Sequence, residues 1–203
     1  MTQLTYIDTA SSPRHHRTGG WLAISDAWTR RHRAILLAVA ALWRFIGLGL
    51  GEMQQWDEAI YALRVRVILH TGEVWDQSAH MLSGSYFSAH PPLYVWLSTF
   101  WTLLLGDAVW THRLASAVAG AMLVLLTYHA ARKMLPAGLS LAAALFAAFS
   151  PLLSQYSVLG QLDVLLALCM FASLVSGFKY VRHGRTRDLL IGGLVLGAAL
   201  MTK

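Results

Sequence analysis

Long apolar blocks separated by short charged segments set the pattern of this chain. The blocks cover residues 34–50, 114–131, 139–156, 164–178 and 189–203. Residues 134–162 contain no Asp, Glu, Lys or Arg at all. Runs of about 18 or more such residues read as bilayer-crossing helices. The pattern therefore predicts an all-α, polytopic transmembrane helical bundle. Block 34–50 reaches only about 26 Å at the helical rise, barely a span. Arg44 interrupts it. The preferred reading is an arginine that snorkels or pairs within the bundle; the alternative is a phosphate ligand near the outer end.

A further apolar block, residues 91–106, opens with Pro91-Pro92, which suits a helix start. The polar segments divide as follows. Residues 1–33 form a polar, basic N-terminus, expected to be disordered at its start, with a short helix on the membrane surface over 21–28. Residues 57–70 place Ile60, Leu63 and Val67 at helical spacing, which predicts an amphipathic surface helix ending at Thr71-Gly72. Residues 73–90 read as a loop, and residues 136–138 as a turn.

Charge sharpens this picture. Of the 203 residues 56% are hydrophobic and 13% charged, against about 25% charged in an average soluble domain. The net charge of +6 does not point to nucleic acid, because the basic residues flank apolar blocks as topology determinants do. The lone cysteine, Cys169, lies inside an apolar block and reads as a small core residue. The first apolar block has no small-residue cleavage site after it and reads as an uncleaved anchor. The last block runs to Lys203, so the chain is expected to be the N-terminal part of a longer protein, a transmembrane domain over 34–203 following the basic segment.

Topology then depends on whether residues 91–106 cross. If they do, Arg132-Lys133 and the basic segment 179–187 both face outside, against the positive-inside tendency. If they lie at the outer surface or dip in without crossing, those segments and the N-terminus face the cytoplasm. Region 51–112 becomes one outer loop, with Trp56, Trp75, Trp96, Trp101 and Trp110 suited to the interface. The second arrangement puts Asp57, Glu58 and Asp163 on one side of the membrane. Asp163 is the only charge between Lys133 and Lys179. An acid at a membrane border is a functional-site candidate, although Asp also suits a helix N-cap.

The ordered set Asp57-Glu58-x-x-Tyr61, Tyr86-Phe87, His90-Pro91-Pro92-Leu93-Tyr94-x-Trp96-Leu97, Leu105-Gly106, Arg113-Leu114-x-Ser116-Ala117 and Asp163 resembles membrane glycosyltransferases of the protein O-mannosyltransferase type. The lipid A aminoarabinose transferases are similar too. The resemblance implies a GT-C-like fold with surface helices in the first outer loop. It implies a polyprenyl-phosphate-linked sugar as donor, and a lipid, glycan or protein hydroxyl as acceptor. It also implies that Asp57 is central to catalysis and that Asp163 lines the same cavity. Some relatives carry Lys where this chain has His90. Many carry an Arg shortly before the second acid, where residues 157–162 have none, leaving Arg113, Arg44 or a residue beyond 203 for the phosphate.

In that chemistry a base takes the acceptor's proton and cations hold the phosphate. Asp57 is expected as the base, or as a ligand of a divalent metal, Mg²⁺ or Mn²⁺. Glu58 would orient the acceptor, and His90 and Arg113 would contact phosphate. Tyr61 would line the sugar pocket unless it is an interfacial anchor. The rival reading is a non-enzymatic transporter or flippase subunit, which would place acids or broken helices near the membrane midplane.

Overall fold

The structure is a computed structural model that describes residues 19–76 and 90–203. The chain divides into two compact units, Met1–Ala34 and Ile35–Lys203; α1 begins in the first, and every later element lies in the second. The regular elements among the described residues are all helices. In order they are α1 (Gly19–Leu42), a 3-10 turn (Trp43–Phe45), α2 (Asp57–Thr71), α3 (Leu93–Leu105), α4 (Val109–Ala131), α5 (Ala137–Ala148), α6 (Pro151–Ser157), α7 (Asp163–His183) and α8 (Thr186–Leu200).

Several boundaries differ from the apolar blocks for physical reasons. The first block is helical only to Leu42. Three glycines follow in close succession, with φ of +88° at Gly47 and +74° at Gly51, conformations that end a helix. The helix expected over 21–28 is not separate, because α1 runs through it from Gly19. The loop expected over 73–90 lies mostly outside the described residues, as do residues 1–18. α4 starts at Val109, inside the polar segment, because the Thr111 hydroxyl accepts the Ala108 amide at 3.1 Å and closes the first turn. The block 139–156 is not one straight span. α5 and α6 meet at a 59° bend, where Pro151 has no amide hydrogen to continue the α5 ladder.

Among the described residues two helices, α4 and α7, are long and apolar enough to cross a membrane, and the bent α5–α6 pair is either a broken third span or a re-entrant loop. α3 has 13 residues, about 20 Å at the helical rise, too short to span alone. α4 is the central post, packing against α3, α5, α6 and α7. One core gathers Tyr61, Val65 and Ile68 of α2, Tyr94 and Val95 of α3, Ala115 and Ala119 of α4, and Val164, Leu165 and Leu168 of α7. Cys169 is buried in it. Leu37 and Ala40 of α1 pack with Val124 of α4 and Ala144 of α5 in another.

The α2 face differs from expectation. Leu63 is 46% exposed, whereas Glu58, Tyr61, Ala62, Arg64, Val65 and Ile68 are buried. Apolar spacing pointed to the wrong stripe because two buried positions carry charges. Arg64 reaches the His90 carbonyl at 3.0 Å, so its charge enters the fold by way of a hydrogen bond.

Candidate active site

The site is organised by a buried ion pair. Glu58 is 1% exposed and Arg113 3%. The Arg113 Nε donates to Glu58 Oε1 at 2.5 Å and its Nη2 donates to Oε2 at 3.1 Å. The remaining guanidinium hydrogens go to the carbonyls of Leu48 and Leu50 (2.9 Å each) and Glu52 (3.0 Å). All five arginine donors are thereby used. Glu58 also accepts the amides of Gln54 (2.7 Å) and Gly160 (3.0 Å). A Cβ at Gly160 would stand 3.1 Å from Glu58 Cγ, so glycine allows the approach. Burial pushes the Glu58 carboxyl up, but Arg113 and the two amides pull harder and hold it below the usual range.

This pair ties four pieces of chain together: segment 48–54, the start of α2, α4, and the turn before α7. Asp57 adjoins Glu58, and Asp163 lies three residues past Gly160. Trp56, just before Asp57, has φ +77° and is the one non-glycine with positive φ among the described residues. Such strain costs about 1–3 kcal/mol and persists only where surrounding structure over-determines it. The bonds from Arg113 and Glu58 to segment 48–54 provide that constraint.

Asp57 and Asp163 face one cavity of about 790 Å³, with Gln161, Tyr156 and Ser150 on its wall and apolar residues of α4, α5, α6 and α7 completing it. Lys203 also lines it, and its Nζ lies 3.4 Å from Asp163 Oδ1. Asp163 is not an N-cap: Leu162 occupies that position, and Asp163 is the first helical residue. The Lys203 end of the chain is held close because the Leu93 amide donates to the Met201 carbonyl at 3.0 Å and Thr202 is fully buried. Sequence reading missed Lys203. Its only signal was a lone cation closing an apolar block.

The other expected site residues lie elsewhere. Glu58 and Arg113 are inside the protein rather than on the cavity wall, and Arg113 has no donor left for a phosphate. Tyr61 is buried in the core, its ring 5.3 Å from that of Tyr94 in an edge-on pair. Burial, and after it the charges of Asp57 and Asp163, push its phenol well above the ordinary range, so it stays neutral. The His90 ring is 6.3 Å from that of Tyr61 and is not on the cavity wall. Ser116 and Gly120, a small-xxx-small pair on α4, both make close contacts. Ser116 donates to the Gln161 carbonyl at 2.7 Å, and its hydroxyl meets that of Tyr94 at 3.0 Å. These bonds fix the turn carrying Asp163.

Among the described residues no three His, Cys, Asp or Glu side chains converge, and the cation beside Asp163 is the Lys203 ammonium. The cavity offers two carboxylates, one ammonium and polar Gln161, Tyr156 and Ser150, above an apolar trough. It can take a proton, hold an anionic group and seat a lipid chain.

The family model described as dolichyl-phosphate-mannose-protein mannosyltransferase matches residues 89–203. The chain is 31% identical over 171 residues to the undecaprenyl phosphate-alpha-4-amino-4-deoxy-L-arabinose arabinosyl transferase of Pseudomonas savastanoi pv. phaseolicola. That match covers 83% of this chain and 31% of that protein. The crystal structure of ArnT from Cupriavidus metallidurans in the apo state shares the fold, with a TM-score of 0.73 and 23% identity over 89% of this chain and 33% of that one. The chain thus spans about a third of the length of the relatives it matches.

Proposed function

Because the chain belongs to the dolichyl-phosphate-mannose-protein mannosyltransferase family, we propose that its cavity is the donor site of an integral-membrane glycosyltransferase. The donor is a hexose or pentose on a polyprenyl phosphate, and the acceptor is a hydroxyl of a lipid, glycan or protein. One observation carries this reading. Asp57 and Asp163, far apart in sequence, line one cavity together with Lys203. The named relative acts with an undecaprenyl-phosphate-linked sugar, and an apolar trough beside an ammonium suits such a donor.

In this mechanism Asp57 accepts the acceptor's hydroxyl proton as its oxygen forms a bond to the anomeric carbon. The bond from that carbon to the phosphate oxygen breaks, and its electron pair leaves with polyprenyl phosphate. Lys203 pairs with the negative charge that the donor phosphate already carries on binding, and keeps that contact as the bond breaks. Asp163 holds the Lys203 ammonium in place.

The site belongs on the extracytoplasmic side of the cell membrane. α4 and α7 run in the same direction, both starting at the site end. Their far halves together line an apolar cleft that ends at Lys133, Met134 and Phe178. The basic residues Arg132, Lys133, Lys179 and Arg182 gather at that far end, which positive-inside placement assigns to the cytoplasm.

Lys203→Met in the complete protein tests the cation's role. A hydrogen bond to a charged group contributes about 1.5–3 kcal/mol, so KM for the polyprenyl-phosphate sugar is expected to rise about 10- to 100-fold. An unchanged KM in a folded variant would remove Lys203 from donor binding and leave the cavity without its phosphate partner.

A further inference from the structure

Arg44 is the largest fully buried side chain that the site leaves unexplained. It sits in the 3-10 turn after α1, and its Nη2 donates to the Ala148 carbonyl at 3.0 Å. Ala148 is the last residue of α5, at the 59° bend into α6. With Pro151 at the start of α6 the helical ladder is interrupted there, and two side chains serve the Ala148 carbonyl instead. The second is the Ser154 hydroxyl, also at 3.0 Å. Broken helices at membrane depth persist only where neighbouring groups satisfy the freed backbone. A slot is built for this arginine. A Cβ at Gly120 of α4 would collide with Arg44 Cδ and with Ser157 Oγ. The slot comes at a cost, because Arg44 Nε and Nη1 are buried without partners and none of the ion pairs among the described residues includes it.

What the bend does for the cavity explains why such a residue is kept. Phe146 and Ala147 of α5, Ser150 in the bend, and Leu152, Leu153 and Tyr156 of α6 form the wall opposite Asp163. A straight helix would carry that wall along a different line. We propose that Arg44 is a positioning residue whose guanidinium clamps the α5–α6 bend and thereby sets the distance between this wall and α7. The inference rests on the cavity being the donor site, and its effect falls on donor binding rather than on proton transfer.

The test uses the complete protein in a Cys169→Ala background, with spin labels on cysteines at Leu152 and Ala167, both exposed and on opposite walls. Arg44→Met is expected to broaden the label–label distance distribution. It should also raise KM for the polyprenyl-phosphate sugar about tenfold while kcat stays within about threefold. Gly120→Ala, which displaces the arginine stem together with the Ser157 hydroxyl beside it, should give the same shift. The two changes together should be no worse than the larger alone, as residues acting through one contact are non-additive. Arg44→Lys, which keeps the charge but not the fork, should recover only part of the loss. An unchanged distance distribution and KM in folded Arg44→Met would overturn the clamp, as would full additivity with Gly120→Ala. Should Arg44→Met fail to fold, Gly120→Ala decides on the same two readouts. A broadened distribution in a protein whose Asp57→Asn variant transfers sugar normally would keep the clamp and reject the donor-site reading.

Discussion

Asp57→Asn is expected to abolish most sugar transfer and leave the fold in place. Asp57 is exposed at the first position of α2, so no packed side chain depends on it. Asn keeps its size and hydrogen-bonding capacity but removes charge and basicity. The change costs the start of α2 a favourable charge, about 0.3–1 kcal/mol near a helix N-terminus. Loss of a positioned general base lowers rate about 10²- to 10⁴-fold. The signature is therefore a fall in kcat with KM nearly unchanged, the opposite of Lys203→Met. It is measured as turnover from a polyprenyl-phosphate sugar, with thermal unfolding followed on the same preparations. Wild-type turnover in a folded Asp57→Asn protein would reduce Asp57 to a polar helix start.

The second large effect is expected at the buried pair. Arg113→Met strands the Glu58 carboxylate and leaves the carbonyls of Leu48, Leu50 and Glu52 without their donor. Removing one partner of a buried ion pair costs about 3–5 kcal/mol, a large share of the stability of an ordinary domain. The segment before Asp57 and the turn before Asp163 should both loosen, with loss of activity and a lower unfolding temperature together. Glu58→Gln keeps shape and is expected to cost less. The pH dependence has a definite sign. The folded Glu58 carboxyl is depressed, so its contribution is complete above the unfolded carboxyl's pKa of about 4.3. It is lost as pH falls through the lower, folded value. Thermal stability of the wild type should therefore drop below about pH 4, and Glu58→Gln should lack that part of the drop. Equal acid sensitivity in the two proteins would contradict the assignment.

Much of the fold was legible in the sequence. Apolar run length alone located α4 and α7, the two helices long and apolar enough to cross a membrane; α8 lies in the last apolar block but has 15 residues. Charge placement alone argued that residues 91–106 do not cross; the helix there, α3, has 13 residues. The α5–α6 bend was less legible, because Pro151 sits in a continuous apolar run and proline marks a break without giving its angle. The buried face of α2 was misread because Glu58 and Arg64 look solvent-exposed until their partners, on α4 and at His90, are known. Such contacts are long-range and leave no local periodicity. For the site, the order of Asp57 and Asp163 in the motif set pointed to one cavity. Glu58 and Arg113 were expected beside substrate because charged residues in such a set read as ligands. In the structure each is consumed by the other. Lys203 escaped notice because long-range packing, of α8 back along α7 and of Met201 against Leu93, brings the end of α8 to the site.

The cavity of Asp57 and Asp163 is proposed to open to the outside and to receive the donor lipid. Single cysteines at Leu152 and Ala167, in a Cys169→Ala background of the complete protein, report on it directly. In sealed cells a membrane-impermeant maleimide should label both positions from outside. Saturating polyprenyl-phosphate sugar should slow that labelling at both, with protection kept in Asp57→Asn and weakened in Lys203→Met. Labelling only from the cytoplasmic side, or labelling rates indifferent to saturating donor, would contradict the account.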